Sequence, residues 1–187
     1  MSQAGDVIIH AGAGTGYYSA ILSQLAGGTG KVHAFEIDAG LAERATQNLA
    51  AFKNVSVLAR SALETPLPPA DVIYVCAGAT HVPAIWLDTL TIGGRLVLPL
   101  TPNERLGCML LVTRKSNDTY TARCFFSNVG FIPCIGARDD EQSRALAAAL
   151  DKGSMKDVKS LHRNTQPDDS AWCIGKDWWL STTEPQG

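Results

Sequence analysis

Three glycines at alternate positions, Gly12, Gly14 and Gly16, stand between a short β-branched run and a helical pattern, and this arrangement limits the fold more than any other feature of the chain. The run Val7-Ile8-Ile9 reads as a strand, and Tyr17 to Ala26 carries Ile21, Leu22 and Leu25 at helical spacing. A strand that enters a helix through a tight glycine loop is the opening of a βαβ unit. Gly27-Gly28-Thr29-Gly30 then breaks the helix, and Lys31 to Ile37 reads as the second strand, with Glu36 near its end.

The alternation continues. Leu41, Ala42, Ala45 and Leu49 mark an amphipathic helix from Ala39 that stops near Lys53-Asn54, before a strand at Val55 to Leu58. Pro66, Pro68 and Pro69 mark a loop, and Ala70 to Cys76 is a nearly unbroken apolar run of the kind buried on both faces of a parallel sheet. Val82 to Leu90 reads as a helix, and a Gly93-Gly94 turn leads into a strand at Arg95 to Leu98. Cys108 to Lys115 and Thr119 to Phe126 are separated only by Ser116-Asn117-Asp118, too short a link for a parallel crossover, so they form an antiparallel hairpin. The expected fold is α/β: a doubly wound, mostly parallel seven-stranded sheet with an antiparallel terminal hairpin. Residues 1–136 form this core, and residues 137–187 form a small α+β appendage, with a helix at Glu141 to Leu150 and short strands at Val158 to Leu161 and Trp172 to Leu180.

A chain of 187 residues, 45% hydrophobic, supports one sizeable core. A net charge of −2 gives no general attraction to nucleic acid or anionic lipid. No run approaches the ~20 apolar residues that span a bilayer and no signal pattern opens the chain, so a cytoplasmic, membrane-free protein is expected. Five cysteines without a Cys-x-x-Cys pair suggest buried reduced thiols rather than a disulfide framework or a metal site. The four tryptophans, Trp86, Trp172, Trp178 and Trp179, read mainly as packing.

In an open parallel sheet, ligands bind beyond the carboxyl ends of the strands near the point where strand order reverses. The glycine loop lies there, and it can bring free backbone N–H groups close to a carboxylate or phosphate. Glu36, twenty positions after Gly16, is placed to accept both hydroxyl hydrogens of an adenosine ribose. Loop and carboxylate together indicate an adenosine-type cofactor. Dinucleotide folds use the same acidic position, but glycines at first, third and fifth places differ from the first, third and sixth of the dinucleotide fingerprint.

The run from Ala11 to Ala20 resembles the first motif of class I S-adenosylmethionine-dependent methyltransferases, in particular the protein-L-isoaspartate O-methyltransferase family. Further similar runs are Phe35-Glu36-Ile37-Asp38, Ala77 to His81, Trp86 to Leu90, Gly93 to Leu100 and Val129 to Cys134. The resemblance implies a Rossmann-like fold with S-adenosyl-L-methionine as methyl donor and a protein or peptide carboxylate as acceptor. Its implied cofactor-binding residues are His10, Gly12, Ala13, Gly14, Gly16, Tyr17, Glu36, Ile37, Ser61 and Ala62. His10 and Ser61 stand where methyltransferases usually carry acidic residues. Thr80 and His81 are the candidates to orient an acceptor; alternatively Thr80 caps the following helix, with His81 in its first turn. Relatives carry a segment before the first strand that helps to cover the cofactor and select the acceptor, and this chain begins only a few residues before that strand. A small-molecule or modified-peptide methyltransferase, and a truncated cofactor-binding module, are therefore the alternatives, with a nicotinamide dehydrogenase more remote.

Overall fold

The computed structural model describes residues 3–185, so the terminal residues of the two expected units, 1, 2, 186 and 187, lie outside it. β1 (Val7–Ala11) runs into the glycine loop and α1 (Tyr17–Ala26), followed by β2 (Lys31–Phe35), α2 (Ala39–Asn48) and β3 (Val55–Leu58). Next come β4 (Ala70–Val75), α3 (Ala84–Thr89), β5 (Leu90–Leu100), β6 (Gly107–Arg114) and β7 (Tyr120–Val129). The C-terminal part holds α4 (Asp140–Lys152), a 3-10 turn at Met155–Asp157, and β8 (Ser160–Arg163), β9 (Ala171–Ile174) and β10 (Trp178–Ser181).

Local chemistry sets the helix ends. α1 leaves a left-handed Gly16 and stops at Gly27, whose N–H returns to the Ser23 and Gln24 carbonyls. α2 starts where the Asp38 carboxylate accepts the Leu41 N–H at 2.8 Å, supplying a partner for one of the free donors of its first turn. α3 starts at Ala84 rather than Val82, because a residue that precedes proline is held in extended backbone. Pro83 occupies the N-cap with no side-chain bond to the helix, so Thr80 does not cap it.

All strands lie in one sheet of order β3-β2-β1-β4-β5-β6-β7-β8-β10-β9. β3, β2, β1, β4 and β5 pair in parallel, and every pairing from β5–β6 onward is antiparallel. Among the described residues the sheet therefore has ten strands where the sequence suggested seven, and it is mixed. The expected appendage is a continuation of the sheet: β8 pairs with β7 through Tyr120↔Leu161 and Thr121↔Ser160. The run taken as one strand at Trp172 to Leu180 is two, folded back on each other across Gly175 to Asp177. The Gly93-Gly94 pair, expected as a turn before a strand, lies inside β5, where the β4–β5 register shifts between Ala70 and Val72.

Alternation along β1 sends neighbouring side chains to opposite faces. Ile8 packs with Leu22 and Ala26 of α1 and with Val32 and Val72. Ile9 and Ala11 join the larger cluster with Phe35, Ile73, Leu96, Leu98, Trp86, Leu146 and Leu180, and each such aliphatic side chain contributes about 1.5–3 kcal/mol of burial. The C-terminal residues Leu146, Leu161 and Leu180 belong to that same core. Among the described residues no helix is long and apolar enough to cross a membrane.

Candidate functional site

The carboxyl ends of β1, β2 and β4 meet where the glycine loop turns. The N–H groups of Gly12 and Ala13 both donate to the Phe35 carbonyl at 3.0 Å, and Gly16 N–H donates to the Ala13 carbonyl at 2.9 Å. These bonds coil the loop against the end of β2. Gly16 has φ near 96°, and a Cβ there would lie 2.7 Å from Leu49 Cδ1, so both backbone and space require glycine.

Glu36, only 7% exposed, is fixed from two sides. Its Oε2 accepts the Gly14 N–H at 2.7 Å and its Oε1 accepts the Asp38 N–H at 3.0 Å. Charge-assisted bonds of this kind are the stronger class. A carboxylate offers about four acceptor sites, so two remain for a ligand. Glu36 thus holds the loop and keeps acceptor capacity.

Beside Glu36 opens a cavity of about 230 Å³, walled mainly by apolar groups: Ile37, Leu41, Ala62, Leu63, Trp86 and the segment Ile132 to Ile135. Its polar lining includes Glu36, Asp38, Arg60 and Ser61. The wall is orderly. Trp86 Nε1 donates to the Ala62 carbonyl at 2.9 Å, Leu63 N–H donates to Ser61 Oγ at 3.1 Å, and the Arg60 guanidinium stacks 4.9 Å from the Phe35 ring centroid. An apolar slot with a carboxylate at one end has the chemistry to hold a heteroaromatic base with a diol-bearing sugar.

The candidates named from sequence divide into three groups. Gly12, Glu36, Ile37, Ser61 and Ala62 line the cavity. Ala13, Gly14 and Gly16 shape the loop through the bonds just described. The others lie elsewhere: Tyr17 is 70% exposed at the start of α1, its ring edge-on to Tyr18 at 5.2 Å. His10 is wholly buried beneath α1, with Nδ1 2.8 Å from Ser19 Oγ and Nε2 without a partner among the described residues. Burial pushes its pKa down to about 4. Thr80 is also wholly buried, and its hydroxyl accepts the Asp139 N–H at 2.9 Å. His81 neighbours it with Nδ1 3.4 Å from Thr80 Oγ1; burial lowers its pKa while Asp139 and Asp177 pull the other way. Neither Thr80 nor His81 is part of the cavity wall.

Sequence reasoning missed Trp86 as a wall of the site, and Arg60, Asp38, Leu41 and Ile132 to Ile135. Spacing carries no signal for the last group. Ile132 reaches the cavity because its carbonyl accepts the Gly78 N–H at 2.8 Å and Cys134 N–H donates back to the Gly78 carbonyl at 2.9 Å, a pairing of residues more than fifty positions apart in sequence.

The model of the protein-L-isoaspartate(D-aspartate) O-methyltransferase family matches residues 2–139 of this chain. The chain belongs to that family. Protein-L-isoaspartate O-methyltransferase 1 of Rhodopseudomonas palustris (strain HaA2) is 36% identical over 137 residues, covering 71% of this chain and 54% of the relative. The protein-L-isoaspartate O-methyltransferase of Ignicoccus hospitalis is 38% identical over 136 residues, covering 70% of the chain and 63% of the relative. The chain thus spans between about half and just under two thirds of the length of these isoaspartate methyltransferase relatives. A solved protein-L-isoaspartate O-methyltransferase superposes with a TM-score of 0.67 at 26% identity, over 81% of this chain and 46% of that one. A Plasmodium falciparum structure, described as a putative protein-L-isoaspartate O-methyltransferase in complex with S-adenosyl-L-homocysteine, has a TM-score of 0.62 at 20% identity, over 71% of this chain and 66% of that one, and shares the fold. The family match ends at the start of α4, so β8 to β10 extend the sheet beyond it.

Proposed function

We propose that this chain binds S-adenosyl-L-methionine in the cavity beside Glu36 and serves as the core of an enzyme that methylates an isoaspartyl carboxylate of a protein or peptide. The observation that carries the reading is the joint placement of Glu36 and the glycine loop at the mouth of an apolar slot, in a chain of the isoaspartate methyltransferase family. The residues present fit the cofactor: Glu36 has acceptor sites left for ribose hydroxyls, and Ala62, Leu63, Trp86 and Ile135 offer apolar walls for adenine. A Cβ at Gly14 would meet nothing within 4 Å, so the loop faces open space there, as a methionine moiety lying across it requires.

When bound, S-adenosylmethionine supplies a methyl group already made electrophilic by its sulfonium. The protein then has mainly to align and to exclude water. The glycine loop and Glu36 set the position of the donor, and the apolar walls keep water from the base. A carboxylate acceptor is ionised at neutral pH and needs no general base. We assign no proton-transfer step to His81 or Thr80. In this reading they hold the loop after β4, since the Thr80 hydroxyl is bonded to the Asp139 N–H. His10 belongs to the packing under α1, where its burial keeps it neutral.

Calorimetric titration with S-adenosylhomocysteine, followed by a methyl-transfer assay on an isoaspartyl peptide, tests the proposal. Binding and methyl ester formation are expected. No heat with S-adenosylhomocysteine would overturn the cofactor assignment; binding without transfer to the isoaspartyl peptide would overturn the acceptor.

A further inference from the structure

The wall formed by Ile132 to Ile135 belongs to a ten-residue connection, 130–139, that has no helix or strand of its own. It crosses the carboxyl end of β4 as a strap. Three backbone hydrogen bonds stitch it down, Gly78 N–H to Ile132 O, Cys134 N–H to Gly78 O and Thr80 N–H to Ala137 O, while Ala137 N–H to Cys134 O folds the strap on itself. These bonds alone leave the strap tied to one loop. That loop meets the end of β5 through Ala79 N–H to the Pro99 carbonyl at 3.0 Å and Thr101 N–H to the Ala79 carbonyl at 2.9 Å, and one side chain of the strap reaches across to the same place.

Arg138 Nη1 donates to the Gly78 carbonyl at 2.8 Å, to the Thr101 carbonyl at 2.8 Å and to Thr101 Oγ1 at 3.0 Å. Its Nε donates to Asn103 Oδ1 at 3.1 Å, and Nη2 contacts the same oxygen. Asn103 is itself held by Asp140 at 2.7 Å through its amide and by Ser143 Oγ at 2.8 Å through its backbone N–H. One planar fork therefore locks three pieces together: the loop after β4, the end of β5 and the strap that walls the cavity. The packing at this joint leaves no slack, because a Cβ on Gly78 would lie 2.1 Å from Thr101 Oγ1.

We propose that Arg138 is a positioning residue for the cofactor cavity. By tying the strap to Gly78 and Thr101, it fixes Ile132 to Ile135 against the slot that Ala62, Leu63 and Trp86 form on the other side. Arg138 does not line the cavity; it acts through the strap. The inference rests on the cofactor reading above.

The test uses Arg138→Gln and Arg138→Lys, with Arg105→Gln as a control, because Arg105 pairs with Asp151 and donates to the Ala147 carbonyl, both on α4. Two readouts are taken: affinity for S-adenosylhomocysteine by calorimetry, and amide exchange by mass spectrometry over residues 76–82 and 130–139 without ligand. Arg138→Gln is expected to speed exchange in both segments and to weaken S-adenosylhomocysteine about tenfold or more, the loss of one or more charge-assisted hydrogen bonds. Arg138→Lys should lie between, since an ammonium reaches the Gly78 and Thr101 carbonyls but does not reproduce the fork on Asn103. The control should match the wild type in both. Unchanged exchange in Arg138→Gln would overturn the tie, and faster exchange with wild-type affinity would overturn the positioning role. If the wild-type chain itself bound no S-adenosylhomocysteine, the cofactor reading would fall, and the exchange data would still decide whether Arg138 anchors the strap.

Discussion

His10 makes stability depend on pH in a direction and amount that follow from its surroundings. The ring has no exposed surface, sits 5.6 Å from the Tyr74 ring centroid and has a single hydrogen-bond partner among the described residues, Ser19. Burial without a carboxylate beside it disfavours the imidazolium, so the native pKa falls from 6.5 to about 4. In the unfolded chain the ring titrates near 6.5. Between these two values the unfolded state binds a proton that the native state does not. Stability is therefore fully present above pH 6.5, falls as the pH drops, and levels off below pH 4. The gap of 2.5 units corresponds to about 3 kcal/mol, at 1.36 kcal/mol per unit. Urea denaturation at half-unit steps from pH 7.5 to 4 would measure it, with His10→Gln as the reference that cannot titrate but can still bond Ser19. The other histidines titrate in both proteins, so the difference between the two curves isolates His10. The wild type should lose about 3 kcal/mol more than the variant over that range. Parallel curves would refute the reasoning.

Glu36→Gln should destabilise the fold by about 2–4 kcal/mol, because an amide can accept only one of the Gly14 and Asp38 N–H bonds and turns an NH₂ toward the other; an unchanged denaturation midpoint would contradict this. The same variant should weaken S-adenosylhomocysteine binding in calorimetry. Gly16→Ala combines a positive φ with a Cβ 2.7 Å from Leu49 and should cost about 1–3 kcal/mol, while Gly16→Ala with Leu49→Ala should recover the steric part in a double-mutant cycle. Trp86→Phe removes the bond to the Ala62 carbonyl and leaves that acceptor in a buried wall, with an expected loss of about 1–3 kcal/mol in thermal or urea unfolding.

Periodicity and glycine placement made the first half of the fold legible because each element there is specified locally. The loop at Gly12 to Gly16, the helical spacing of Leu41, Ala42, Ala45 and Leu49 and the apolar run of β4 all signal their structure within a few residues. The short link Ser116 to Asp118 identified the hairpin for the same reason. The C-terminal strands did not signal their place. β8, β9 and β10 have four residues each, and what makes β8 part of the main sheet is its pairing with Tyr120 and Thr121, forty residues earlier. The site shows a similar division. Glu36 could be located by its distance from the glycines, yet its role as an anchor for the Gly14 and Asp38 N–H groups depends on how the loop coils. Trp86 looked like packing and is packing, fully buried, but it also walls the cavity.

The position of β1 between β2 and β4 has a consequence for how the protein is made. The Val7 N–H bonds to the carboxylate of Asp71, 64 residues further on, and the wall at Ile132 to Ile135 comes from a stretch still later in the chain. The glycine loop and Glu36 are synthesised before β4 and the strap, beside a strand that then has only one neighbour. Until the stretch through Arg138 has followed, that loop borders an open sheet face, with no slot in which a base could be sandwiched. The slot is thus complete only once Arg138 has been made, and the long sequence separations on which it depends favour slow, cooperative closure over stepwise growth.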